Sequence, residues 1–232
     1  MLETSLGVIA YLITAVALVA ITAKSLELYR RIKAGQPDPT RGNDKGKRFA
    51  LMVREVLTHA KMLNFTGSGI AHWFVMIGFV SLFGTLITAY GQIFDPHFVL
   101  PLIGHFVPYN FFVELITWLT GISIVALIAI RQITRFTKKG RNSRFFGSGS
   151  WKAYFVEAVI LAIVFCVIAL RGLEGALLGD KAKSFEFALS QPAVNAFKDL
   201  DVAAIERWIV IVAALKIIIS MTWFIEIGRA HV

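Results

Sequence analysis

His72 stands in an apolar run, from Met62 to Phe94, that holds no Asp, Glu, Lys or Arg. An imidazole is costly inside a lipid bilayer, so a membrane helix that keeps one uses it to hold a cofactor, line an ion path or make an internal hydrogen bond. Ser68 and Gly69 lie four and three residues earlier on the same helical face, where small side chains let a flat group approach the backbone. This pattern predicts axial ligation of a haem b iron by His72. The plain alternative is a core histidine bonded to a neighbouring carbonyl.

The other titratable groups are sorted by where they fall. His59 precedes His72 by 13 residues. On one continuous helix the two imidazoles would stand about 20 Å apart and point roughly 220° from each other. They cannot share an iron, so each needs a second ligand from another helix, as in four-helix haem bundles of the bis-histidine type. His59 is the second candidate axial ligand, against a solvated interfacial histidine. His97 and His105 fall at the opposite membrane face and are not expected to ligate. Lys216, near the middle of another apolar block, needs a carboxylate, a haem propionate or a quinone oxygen. Glu114 and Glu157 lie near block ends and are expected to snorkel or cap. Trp73, Trp118, Trp151, Trp208 and Trp223 are expected mostly to be interface anchors.

These residues need elements to carry them. Hydrophobic residues make up 56% of the 232-residue chain and mean hydropathy is +0.68. The apolar residues gather in five blocks, at about 4–23, 67–93, 111–130, 153–170 and 208–225, each near the roughly 20 residues that cross a bilayer. The first is expected to be a retained helix and not a cleaved signal, since basic residues follow it and none precedes it. The expected fold class is an all-α integral membrane bundle of about five transmembrane helices. A cytoplasmic interfacial amphipathic helix accompanies it: Phe49, Met52, Val53, Val56, Leu57 and Ala60 recur at helical spacing, with Lys47, Arg48, Arg54 and Lys61 among them.

Charge placement sets the expected orientation. Nine Lys or Arg lie between Lys24 and Arg54, and seven, with no acid, between Arg131 and Lys152, whereas Gln92 to Phe112 has none. Both basic loops are therefore expected in the cytoplasm and the N-terminus outside, in a bacterial plasma membrane. The net charge of +9 is mostly this topology signal. Its residues border apolar spans and do not form a base-reading face, so no nucleic acid is expected as a partner.

The segment from Gln36 to Asp44 has the proline, glycine and Asx content of a linker. The segment from Asp95 to His105, too apolar for solvent and broken by proline, is expected to fold down as a cap. Cys166 is the one cysteine, so this chain supplies neither a disulfide nor the thiolates of an iron–sulfur cluster.

Taken together, His59, the run Gly-Ile-Ala-His72-Trp-Phe and Gly78-Phe79 resemble the second helix of the haem b membrane subunit of respiratory nitrate reductase. Ala89-Tyr90-Gly91-Gln92-Ile93-Phe94-Asp95-Pro96, Pro101-Leu102-Ile103-Gly104-His105, Ser143-Arg144-Phe145-Phe146-Gly147-Ser148 and Ala169-Leu170-Arg171-Gly172-Leu173-Glu174 extend the likeness over nearly the whole chain. They resemble the N-terminal membrane domain of bacterial iron–sulfur oxidoreductases of the electron-transfer-flavoprotein:menaquinone type. The resemblance implies one or two haems b and a following cytoplasmic domain with iron–sulfur clusters. It also implies electron flow from reduced electron transfer flavoprotein to menaquinone during fatty-acid oxidation.

In that family the chain continues where this one stops. Glu226-Ile227-Gly228-Arg229-Ala230-His231-Val232 breaks the apolar pattern and equals a translated sequencing-adapter sequence. Residues 226–232 are therefore expected to be non-native, with the cluster domain and the partner histidines of the fifth helix missing and the fragment alone inactive. Two other functional classes compete with a haem-bearing redox domain: a cofactor-free anchor for a redox partner, and a small transporter. Transporters show inverted repeats or spans broken by glycine or proline at the midplane, and the sequence gives neither sign.

Overall fold

The computed structural model of the chain describes residues 2–36, 43–58, 60–64, 66–135, 139–142, 150–183 and 185–230. His59 and His231 lie outside the described residues. The helices are α1 (Leu2–Lys33), α2 (Lys45–Thr58), α3 (Ala60–Leu63), α4 (Thr66–Ser81), α5 (Phe83–Gln92), α6 (Val107–Ile133), α7 (Ser150–Leu178), α8 (Gln191–Phe197) and α9 (Val202–Ala230), with no strand among the described residues. Five stretches are long and apolar enough to cross a membrane: Thr4–Lys33, Thr66–Gln92, Val107–Ile133, Trp151–Lys181 and Val202–Ile225. The molecule is an all-α, multi-pass membrane bundle. Its outward apolar residues, such as Val16, Val19 and Ile122, are more than half exposed, as suits a surface set in lipid.

α9 is the central helix. It packs on α1, α5 and α7, while α4 packs on α6 and α6 on α7. Small residues make this possible: Ala10, Ala17, Ala89, Ala213 and Ala214 have no exposed surface, so backbones approach closely, as membrane helices require. Ile209, Ile217 and Leu173 fill the space between them.

The second span is interrupted, which the sequence does not announce by proline. α4 ends at Ser81 and α5 begins at Phe83, with Leu82 between them in a loosened helical conformation. Bonds from Leu82 N to the Gly78 carbonyl and from Leu86 N to the Leu82 carbonyl carry the helix through the bend. At Gly78 the Thr120 hydroxyl occupies the place of a side chain, so α4 lies against α6 one turn before the bend.

The fourth span also runs further than its apolar block. Helix α7 continues past Leu170 to Leu178, because Arg171 and Glu174 pair with each other at i,i+3 and are held inside the bundle. At the end where α5, α7 and α9 meet, the loop end, the segment after α5 folds back as a cap. The Phe98 ring occupies the space beside Gly91, and Asn110 Nδ2 donates to the Gly104 carbonyl. At the other end, the basic end, α2 buries none of its residues, and Phe49, Met52, Val56 and Leu57 are exposed.

Candidate functional site

The polar groups of the interior converge on a cavity of about 210 Å³ at the loop end, walled by α5, α6, α7, α9 and the folded-back loop. Its deepest cation is Lys216, 1% exposed on α9, whose Nζ donates to the Thr85 carbonyl at 2.8 Å and to the Thr85 hydroxyl at 2.7 Å. One and two turns beyond Thr85 on α5 stand Thr88 and Gln92. Gln92, 1% exposed, donates from Nε2 to Glu174 Oε1 at 2.6 Å. Its own Oε1 has no hydrogen-bond partner among the described residues.

Arg171 organises the other side. It donates from Nη1 to Glu174 Oε2 at 3.0 Å, from Nη2 to the Glu186 carbonyl at 2.6 Å and from Nε towards Glu114 Oε1 at 3.4 Å. Glu114 also accepts the Leu189 backbone N–H at 2.8 Å. It is 1% exposed, so it neither snorkels nor caps its helix as its position near a block end leads one to expect. Its charge is matched inside the protein, by a guanidinium from α7 and an amide from the following loop. Glu186 Oε1 accepts from Asn110 Nδ2 and lies 3.2 Å from His105 Nδ1. His97 pairs in the same way with Glu206, at 3.0 Å. Arg171 and Glu114 thus match each other's charge inside the protein, and Lys216 is held by the neutral oxygens of Thr85.

Glu157 follows the same rule at the basic end. It is buried and accepts from Arg131 Nε at 2.9 Å.

A second, apolar slot of about 70 Å³ lies deeper, between α4, α5, α6, α7 and α9. Val75, Phe79, Trp223 and Phe224 line it, and the Phe79 and Trp223 rings are 4.5 Å apart. Trp223 therefore packs between helices and is not a surface anchor. Lys216 is common to the walls of the slot and the cavity.

His72 occupies the second turn of α4, on its exposed side. Val75 and Phe79 follow it at i+3 and i+7, on the face that borders the slot. The small residue beside it serves a different neighbour from the one the sequence points to: at Gly69 the Met62 carbonyl of α3 fills the place of a side chain. α3 ends at Leu63 and Asn64 is in a turn, so α4, which carries His72, does not continue α3 as one helix. Among the described residues no group of three or more His, Cys, Asp or Glu is placed to hold a metal ion.

No family model, curated protein or solved structure matches the chain.

The site residues that sequence reasoning names are thus divided by the fold. Lys216 is at the centre, His72 is a helix face away, and His59 lies outside the described residues. Gln92, Arg171, Glu174 and Glu186 do most of the polar work and carry no individual signal in the sequence. Arg171 and Glu174 follow directly on an apolar block and so look like the start of a loop. Their i,i+3 spacing is the one sign that the helix continues with the charges on a single face.

Proposed function

We propose that the chain is a membrane electron-transfer domain of the electron-transfer-flavoprotein:menaquinone type. It receives electrons at the basic, cytoplasmic end from electron transfer flavoprotein by way of iron–sulfur clusters carried outside this segment, and passes them through haem b to menaquinone. The observation that carries this reading is the alignment of His72, Val75 and Phe79 along one face of α4, leading into an apolar slot closed by Trp223 and Phe224.

The slot, about 70 Å³ and without His72 in its wall, would have to open to admit a haem. His72 would supply the imidazole, and Val75, Phe79, Trp223 and Phe224 would supply apolar, aromatic surroundings. A haem held there would supply one-electron redox chemistry. The chain's own residues exclude water from the slot and keep its wall free of unpaired charge, the ammonium of Lys216 being turned to Thr85. Since His59 and His72 are not expected to share an iron, the second ligand of a haem held by His72 would come from another helix.

The filling of the Gly69 site by Met62 favours the competing reading, a cofactor-free anchor. A reduced-minus-oxidised absorption spectrum of the purified full-length protein separates the two. A b-type signal that His72→Ala removes, wholly or for one haem, is the expected result. A protein without haem, or a spectrum indifferent to His72→Ala, refutes the assignment.

A further inference from the structure

We propose that α2 is a docking surface for anionic phospholipid: its apolar side enters the bilayer at the basic end, and its lysines and arginines hold the head-group phosphates. The inference stands on the membrane bundle alone and goes beyond the redox reading.

The first observation is a helix with two unlike sides, the apolar one left open. At about 100° per residue, Phe49, Met52, Val53, Val56 and Leu57 share one side of α2, while Lys47, Arg54, Glu55 and Thr58 fall on the other. Leu51 is the large apolar residue that departs from this division. Phe49, Met52 and Leu57 are each more than half exposed, and α2, which packs on the short α3, buries none of its residues.

The second observation is where α2 is tied. Thr58, its last residue, stands eight residues before Thr66, where the second span begins, and Lys45, its first, stands twelve after Lys33, where the first span ends. Eight extended residues reach at most about 28 Å, and the turn of α3 shortens that. Both ends of α2 are thus held beside the bilayer, so lipid is the surface its apolar side meets first. An amphipathic helix in this position lies in the interface with its apolar side about 5–10 Å deep.

The third observation is charge. α2 carries Lys45, Lys47, Arg48 and Arg54 against one acid, Glu55. Arg48 and Lys47 fall on opposite edges of the apolar side, where their stems can lie along it while the charged heads reach the phosphates. Lys61 of α3 and Arg30, Arg31 and Lys33 in the last turn of α1 make the same end more positive. Near an anionic leaflet each such residue strengthens binding about fivefold, so the lipid favoured is an anionic one.

The test uses the full chain with Cys166→Ala and one new cysteine, Met52→Cys on the apolar side or Thr58→Cys on the polar side, carrying an environment-sensitive fluorophore. The protein is reconstituted in phosphatidylcholine vesicles with increasing phosphatidylglycerol, and emission and quenching by a nitroxide lipid report which label is in the bilayer. The Met52→Cys label is expected to move into lipid as phosphatidylglycerol rises, and the Thr58→Cys label to stay in water. At the composition that half-docks this protein, Lys47→Gln/Arg48→Gln is expected to lower the docked-to-undocked ratio about 25-fold, and Glu55→Gln to raise it about fivefold. Misfolding cannot produce that gain, so Glu55→Gln reports even if the double variant fails to fold. A Met52→Cys label that stays in water at every composition leaves α2 to a protein partner and overturns the proposal. Docking as complete in phosphatidylcholine alone, or unmoved by Glu55→Gln, is apolar partition without head-group recognition and overturns it as well.

Discussion

The ammonium of Lys216 and Thr85, 131 residues apart in sequence, are joined by two hydrogen bonds, one to the backbone carbonyl at 2.8 Å and one to the hydroxyl at 2.7 Å. The pair ties the central helix α9 to α5 one turn past the bend at Leu82. A lysine at membrane depth is tolerated because a carbonyl and a hydroxyl replace the water it has lost.

Thr85→Val keeps the carbonyl and the side-chain shape but removes the hydroxyl. It is expected to destabilise the detergent-solubilised protein by about 1–2 kcal/mol, while Thr85→Ser stays near wild type. Thermal unfolding followed by circular dichroism measures both. Equal melting temperatures for Thr85→Val and wild type would show that the hydroxyl contributes nothing to holding the lysine.

Arg171 is the common partner of Glu114 and Glu174. Removing it with Arg171→Met leaves the buried carboxylate of Glu114 and the partly buried one of Glu174 without their shared cation and is expected to cost about 3–5 kcal/mol. Adding Glu114→Gln keeps the acceptor for the Leu189 amide and removes one of the stranded charges. The double variant is therefore expected to be more stable than Arg171→Met alone. A double variant no more stable than the single one would mean that the guanidinium acts by packing on the Phe187 ring, 4.2 Å away, rather than by charge.

A methyl group at Gly78 meets the Thr120 hydroxyl. Gly78→Ala is expected to push α4 from α6 and cost about 1–3 kcal/mol, the usual penalty of overpacking. Thr120→Ala opens the space again, so Gly78→Ala/Thr120→Ala is expected to recover most of the loss. Melting temperatures of the three variants decide it. Failure of the second substitution to rescue the first would place the contact elsewhere.

Orientation is tested by cysteine labelling in intact cells, the native Cys166 being buried. Leu102, fully exposed on the loop-end cap, and Asn142, exposed at the basic end, are the positions to use. Leu102→Cys is expected to react with an impermeant maleimide and Asn142→Cys only after the membrane is opened. The reverse pattern inverts the topology and puts the electron donor on the wrong side.

Sequence alone was enough for the class of fold, because lipid leaves few choices: an apolar stretch of sufficient length must satisfy its own backbone, and it does so as a helix. The amphipathic pattern of α2 and the cap after α5 were legible for similar local reasons, apolar spacing in one and proline among apolar residues in the other. His72 and Lys216 stood out because each is an expensive residue in an apolar run. What covers Gly69, what pairs with Glu114 and whether α7 stops at Leu170 were not legible. Each depends on a partner far away in sequence or in a neighbouring turn: the Met62 carbonyl, the Arg171 guanidinium with the Leu189 amide, and the pairing of Arg171 with Glu174 inside the bundle. Burial cost is a property of one residue and can be read along the chain. Its compensation is a property of pairs, and only the packing of α5, α6, α7 and α9 around Lys216 decided which pairs form.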